Sequence, residues 1–111
     1  YGEILQPEQV LRYGALELDV TQHVLHRDGR VVELTPIEFG LLEVFMRAPQ
    51  RVFNRLQLME NTHGFAFDGY ERTMDAHIRN LRKKIEKDSR RPEYILTVYG
   101  IGYKFGGDSN A

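Results

Sequence analysis

Hydrophobic and polar positions alternate with a period of two in "YGALELDV", where Leu16, Leu18 and Val20 are separated by Glu17 and Asp19. That is the pattern of a strand with one buried face. A hairpin is expected next: "HVLHRDGRVVEL" sets Asp28-Gly29 between two β-prone runs, and Asp-Gly suits the positive φ values of a type I′ turn. The period then lengthens. "LTPIEFGLLEVFMRAP" opens with helix-start signals: Thr35 as N-cap, Pro36 at the first helical position and Glu38 three residues after the cap. It places Leu41, Leu42 and Phe45 on one face, and Pro49 closes it. A second capping box, Asn54 with Gln57, opens a shorter helix that turns Leu58, Met59 and Thr62 inward and stops near Gly64. After the loop "GFAFDGY", a third helix is predicted over about 71–87. From Pro92, "PEYILTVYGIGYKF" predicts two strands around Gly100-Ile101-Gly102, a hairpin over about 94–105.

The third helix carries the most information. At 100° per residue, Met74, Ile78, Leu81 and Ile85 form a narrow apolar stripe that would dock on a core. The opposite side gathers Arg72, Ala76, Arg79, Asn80, Lys83 and Lys87, with Thr73 at its edge. The acids Asp75 and Glu86 sit at the margins, where helical spacing would let them pair with Arg79 and Arg82. This geometry fits a duplex. A major groove about 12 Å wide admits a helix, cations meet the phosphates on both lips, and a short residue such as Ala76 permits close approach to the bases. An exposed Asn can pair with adenine and an Arg with guanine. A merely solvated helix face remains a competing reading of the same residues.

The parts around that helix favour DNA. A helix pair whose second member is basic, followed by a β-hairpin, is the order of a winged helix-turn-helix, with the third helix of this chain as the reader. The hairpin would then lie along the adjacent minor groove or backbone, where Thr97, Tyr99, Tyr103 and Lys104 can reach phosphate or sugar oxygens. Core packing is the alternative role for Tyr103 and Phe105.

Composition changes the picture in a few places. With 111 residues, 41% of them hydrophobic, the chain suits one α+β domain. The net charge of −1 hides an asymmetry: residues 1–71 hold 6 basic and 11 acidic side chains, residues 72–111 hold 9 and 5. The basic excess therefore sits where the reading helix does. Without cysteine there is no disulfide, thiolate site or cysteine nucleophile. His23 and His26, three apart on an expected strand, would point to opposite faces, so no metal or other cofactor is expected. Ser89 and Ser109 lack a histidine–carboxylate setting, which leaves no expectation of catalysis. No apolar run approaches the length of a membrane span.

Four segments in this order, "LTPIEFGLL", "RVFNRLQL", "ERTMDAHIRNLRKKIE" and "ILTVYGIGYKF", closely resemble the carboxy-terminal effector domain of the OmpR/PhoB family of response regulators, over about residues 12–105. The resemblance implies a winged helix-turn-helix with an amino-terminal antiparallel four-stranded sheet, three helices and a carboxy-terminal β-hairpin wing. On that reading residues 1–11 are a linker remnant, 12–106 the DNA-binding domain and 107–111 a flexible tail. It further implies a bacterial, cytoplasmic transcription regulator of a two-component phosphorelay that binds double-stranded promoter DNA at direct repeats as a head-to-tail pair. A receiver domain, its cognate histidine kinase, and RNA polymerase touched through loop 64–70 are the implied partners. Arg72, Thr73, His77, Arg79 and Arg82 match family positions that contact phosphates or bases, and Thr97 and Tyr103 match wing positions at the backbone. Three residues depart from the family pattern: Asn80 stands where some members read bases with arginine, Tyr99 where many carry a wing arginine, and His63 where tryptophan is frequent. A winged-helix module that holds a protein instead of DNA is the rival class, and salt dependence separates the two.

Overall fold

The computed structural model describes residues 9–62 and 70–106. Its amino-terminal third is an antiparallel meander of four strands in the order β1-β2-β3-β4: β1 (Val10–Tyr13), β2 (Leu16–Asp19), β3 (Val24–Arg27) and β4 (Arg30–Val32). The period-two pattern explains the middle of it, since Leu16, Leu18 and Leu25 point into the core. Asp28 and Gly29 adopt φ values of +53° and +80° between the paired Arg27 and Arg30, so the two-residue turn forms where its sequence asks for it. Strand β1 begins at Val10, inside the stretch read as a linker remnant, and pairs with β2 from Val10–Asp19 to Tyr13–Leu16.

Helix α1 (Pro36–Arg47) starts with both halves of its capping box made: Glu38 N donates to Thr35 Oγ1 at 3.1 Å, and Thr35 N donates to Glu38 Oε1 at 3.0 Å. The same box opens α2 (Arg55–Asn61) from Asn54 and Gln57. Helix α3 (Tyr70–Ile85) lays Met74, Ile78, Leu81 and Ile85, all fully buried, against α1 and α2. The opposite side of α3 faces away from this core.

The carboxy-terminal hairpin, β6 (Ile95–Val98) with β7 (Gly102–Phe105), gains a third strand that the sequence pattern does not reveal. The two-residue β5 (Val52–Phe53), between α1 and α2, pairs with β7, giving the order β5-β7-β6. Gly102 is required by that pairing. A β-carbon there would collide with the Phe53 carbonyl oxygen and lie 2.8 Å from Asn54 Cα. The hairpin is also pinned by aromatic packing, with Phe105 stacked on Tyr94 and Phe45 and edge-on to Tyr13. Tyr94 closes the join to the first sheet by accepting a 2.9 Å hydrogen bond from Ala15 N.

Candidate nucleic-acid interface

Residues at the apolar-stripe spacing fix how α3 is rotated, and the rotation decides which of its polar side chains reach solvent. Thr73, Arg79, Asn80, Lys83 and Lys87 are exposed, and Ala76 and His77 are half-buried beside them. Among the described residues, no hydrogen bond or ion pair engages the side chains of Arg79, Asn80 or Lys83. The Arg72 side chain, His63 and residues 64–69 lie outside the described part.

Asp75 and Glu86, the latter just past the end of α3, do not hydrogen-bond to Arg79 and Arg82 as helical spacing suggests. Asp75 turns to α2, where Arg55 grips it with two parallel bonds, Nε to Oδ1 at 2.9 Å and Nη2 to Oδ2 at 3.0 Å. The Tyr103 hydroxyl of β7 also donates to Asp75 Oδ1. The Arg55 bonds hold the Asp75 carboxyl below its ordinary value, helped by the Tyr103 hydroxyl and the Arg79 charge. Burial, and then the bond to Asp75, push the Tyr103 phenol up to about 12. Glu86, only 3% exposed, accepts backbone N–H bonds from Glu93 (2.7 Å), Tyr94 (3.1 Å) and Ile95 (2.9 Å). Its carboxylate thereby fixes the turn that leads from α3 into β6.

Arg82, expected at the DNA, is half-buried between α3 and the hairpin. Its Nε and Nη2 donate to the Ile95 carbonyl at 3.0 and 2.8 Å, Nη2 also donates to Thr97 Oγ1 at 2.9 Å, and the guanidinium lies 5.5 Å from the Tyr103 ring centre. Tyr103, expected at the backbone of a duplex, is 7% exposed and commits its one hydroxyl proton to Asp75. Packing, the alternative role read for it, is the one the structure gives it. Thr97 remains exposed, and its hydroxyl, accepting from Arg82, keeps a proton to donate. Tyr99 is 90% exposed at the hairpin tip.

Arg55 is the residue that sequence reasoning misses. Its partner lies 20 positions away on another helix, and no local spacing announces the pair. The histidine argument also needs correcting. His23 is not on a strand but in the turn before β3, at φ +59°, with its ring stacked on Phe39 at 4.4 Å. Among the described residues no group of three metal-ligating side chains comes together, and no helix is long and apolar enough to cross a membrane.

The family model described as "Transcriptional regulatory protein, C terminal" matches residues 29–105, which takes in all three helices and the hairpin. The DNA-binding response regulator MtrA of Mycolicibacterium smegmatis is 41% identical over 101 residues, covering 91% of this chain and 44% of the relative. The chain thus spans less than half the length of that curated relative. Among solved structures, DrrB, an OmpR/PhoB homologue from Thermotoga maritima, superposes with a TM-score of 0.79 at 33% identity, covering 88% of this chain and 44% of that one. The DNA-binding domain of Klebsiella pneumoniae RstA, in complex with the RstA box, gives a TM-score of 0.78 at 28% identity, covering 88% of this chain and 97% of that one. Three helices, a four-stranded sheet and a carboxy-terminal hairpin agree with the fold of these relatives, and the chain belongs to the carboxy-terminal family of transcriptional regulatory proteins, the DNA-binding output domains of OmpR/PhoB response regulators.

Proposed function

We propose that α3 enters the major groove of a promoter duplex with Ala76 as the short position of closest approach. Arg79 and Lys83 meet phosphates or a guanine edge, and Asn80 pairs with an adenine. One observation carries this reading: among the described residues the side chains of Arg79, Asn80 and Lys83 make no hydrogen bond or salt bridge, while the neighbouring carboxylates of Asp75 and Glu86 are held by Arg55 and by backbone amides. The corner where Arg82 holds Thr97 supports a phosphate contact, since the Thr97 hydroxyl and the unused Nη1 of Arg82 are both donors. Tyr103 then serves by positioning that corner. Thr73 and His77, and Arg72 at the start of the helix, extend the contact along the groove.

The larger assembly belongs to the same proposal: two copies head to tail on a direct repeat in bacterial cytoplasm, a receiver domain and histidine kinase upstream, and RNA polymerase reached through residues 64–70. No catalytic step and no cofactor enter it. The test is selection of bound sequences from a random duplex pool, followed by a salt titration on the winner. A direct repeat with half-sites about one helical turn apart should emerge, with log K falling by about 0.9 per phosphate neutralised for each unit of log salt. A folded protein that enriches no sequence at low salt would sink the proposal.

A further inference from the structure

Helix α3 ends where the chain turns toward the hairpin, and a helix end leaves carbonyl oxygens without partners inside the helix. Those of α3 are met from the amino-terminal sheet. Arg27 Nη1 donates to the Lys84 and Glu86 carbonyl oxygens, both at 3.4 Å, from 57 and 59 positions away. A cation at that end also suits the negative pole of the helix dipole. The sheet register explains the reach. Arg27 stands opposite Leu16, which is buried, so both point to the core side of the sheet, and Arg27 is the last residue of β3 before the Asp28-Gly29 turn. Among the described residues no carboxylate forms a salt bridge with Arg27, which leaves the two carbonyls as its hydrogen-bond partners. A second tie comes from the same sheet: Ala15 N, between β1 and β2, holds the Tyr94 hydroxyl just ahead of β6. The sheet thus grips both the end of α3 and the start of the hairpin.

We propose that Arg27 is a positioning residue for DNA binding: it keeps the last turn of α3 wound and so holds Lys83 and Lys87 in register with Arg79. The inference rests on the placement of α3 in the major groove argued above. Lys83 lies one turn beyond Arg79 and Lys87 one turn further, past the last helical residue, Ile85. All three are exposed. The carbonyls that Arg27 holds belong to the residue after Lys83 and the residue before Lys87, so its grip falls between those two cations. Lys84 and Glu86 are also tied by their side chains, to Glu38 and to backbone N–H groups, but those ties do not engage the carbonyls. Arg79 does not depend on the grip. It sits between the fully buried Ile78 and Leu81 in the middle of the helix, where packing fixes the backbone. An uncapped helix end frays, and a frayed turn lets two long cationic side chains drift from the positions that phosphates require. The sheet, none of whose side chains is proposed to touch DNA, therefore acts on affinity through the backbone of the helix.

The test is a pair of double-mutant cycles on the duplex obtained by selection, combining Arg27→Met with Lys83→Met in one and with Arg79→Ala in the other. Met keeps the apolar stem of Arg27 and removes its donors. Each variant is titrated over a salt series, below its unfolding midpoint. Arg27→Met alone should weaken binding roughly fivefold and quicken amide hydrogen exchange in the last turn, where Glu86 N donates to Arg82 O at 2.9 Å. Lys83→Met should lower the salt slope by about one when Arg27 is present and by much less when it is Met, so the double variant binds about as tightly as Arg27→Met. The losses from Arg27→Met and Arg79→Ala should multiply instead. Arg27→Lys, which keeps a cation at the helix end, should recover most of the affinity. Should Arg27→Met be unfolded at the assay temperature, Arg27→Gln takes its place in the same cycles. If Arg27→Met leaves affinity unchanged, or if its loss also multiplies with that of Lys83→Met, Arg27 serves the fold alone and the proposal is overturned. If Lys83→Met and Arg79→Ala both bind normally, the placement of α3 itself is wrong.

Discussion

Lys83 and Lys84 are neighbours on α3, and Arg79 and Arg82 are one turn apart, yet each pair divides between two regions of the molecule with different tasks. Lys83 and Arg79 stand on the outward face without a hydrogen bond or salt bridge among the described residues, Arg79 acting on Asp75 only through its charge. Lys84 and Arg82 lie on the inward edge: Lys84 Nζ meets the buried Glu38 carboxylate at 2.6 Å, and Arg82 ties α3 to β6. The charge on a residue does not say which task it has. What decides is the presence of an acceptor within reach, and acceptors on the inward edge come from α1, β6 and the turn after α3. The carboxylates of Asp75 and Glu86 are held by Arg55 and by backbone amides, and neither hydrogen-bonds to the outward cations.

The comparison predicts that the two regions fail differently when cut. Glu86→Ala should give the largest loss, about 3 kcal/mol, because three backbone N–H groups lose one shared acceptor that is itself 3% exposed. Urea unfolding measures it, and a loss under about 1 kcal/mol would mean that water replaces the carboxylate without penalty. Next comes Lys84→Met, at about 2 kcal/mol, since it strands the Glu38 carboxylate, which is 2% exposed and serves both the capping box and the ion pair. Lys83→Met, one residue away, should stay within about 0.5 kcal/mol in stability and instead reduce the salt slope of DNA binding by about one.

Arg82 and Arg79 sharpen the contrast further. Arg82→Ala should cost about 1–2 kcal/mol of stability and also lower DNA affinity, because the hairpin loses its tie to α3. Arg79→Ala should leave the unfolding midpoint in place and lower affinity alone. Equal stability losses in the two variants would show that Arg79 also has a structural partner, and would dissolve the division between the faces.

Much of this division could be read without coordinates. The apolar stripe of α3, the capping boxes at Thr35 and Asn54 and the Asp28-Gly29 turn are encoded within a few residues, so short-range chemistry suffices for them. Which cations face outward is half legible: the helical wheel places Arg79, Asn80 and Lys83 correctly. It cannot see Arg55 reaching Asp75 or β6 arriving beneath Arg82, because these partners meet only through tertiary packing. Strand β5 was invisible for a related reason. Two residues carry no periodicity, and Val52–Phe53 becomes a strand only because β7 lies beside it. The first strand of the four is legible only through the resemblance, and its start at Val10 is not, because Val10–Tyr13 carries no alternation of its own and pairs only because β2 lies beside it.

The smallest expected effect is also the one that separates the two regions by pH. In the inward cluster, Asp75 titrates below its unfolded value, near 3.9, so its contribution to stability is present above about pH 4 and is lost as pH falls through the depressed folded value. Tyr103 titrates above its unfolded value, near 10, and its contribution is complete below about pH 10 and disappears as pH rises toward 12. The Arg55–Asp75–Tyr103 lock is thus intact between about pH 4 and pH 10, with a loss at each end. Asp75 is partly exposed, which makes the acid loss shallow. Urea midpoints against pH for the wild type, Asp75→Asn and Tyr103→Phe assign the two ends: Asp75→Asn should flatten the acid side, and Tyr103→Phe the alkaline side. If both variants keep the wild-type profile, groups elsewhere in the domain govern its pH stability, and the hairpin is held to α2 and α3 by packing and by Arg82 rather than by this carboxylate.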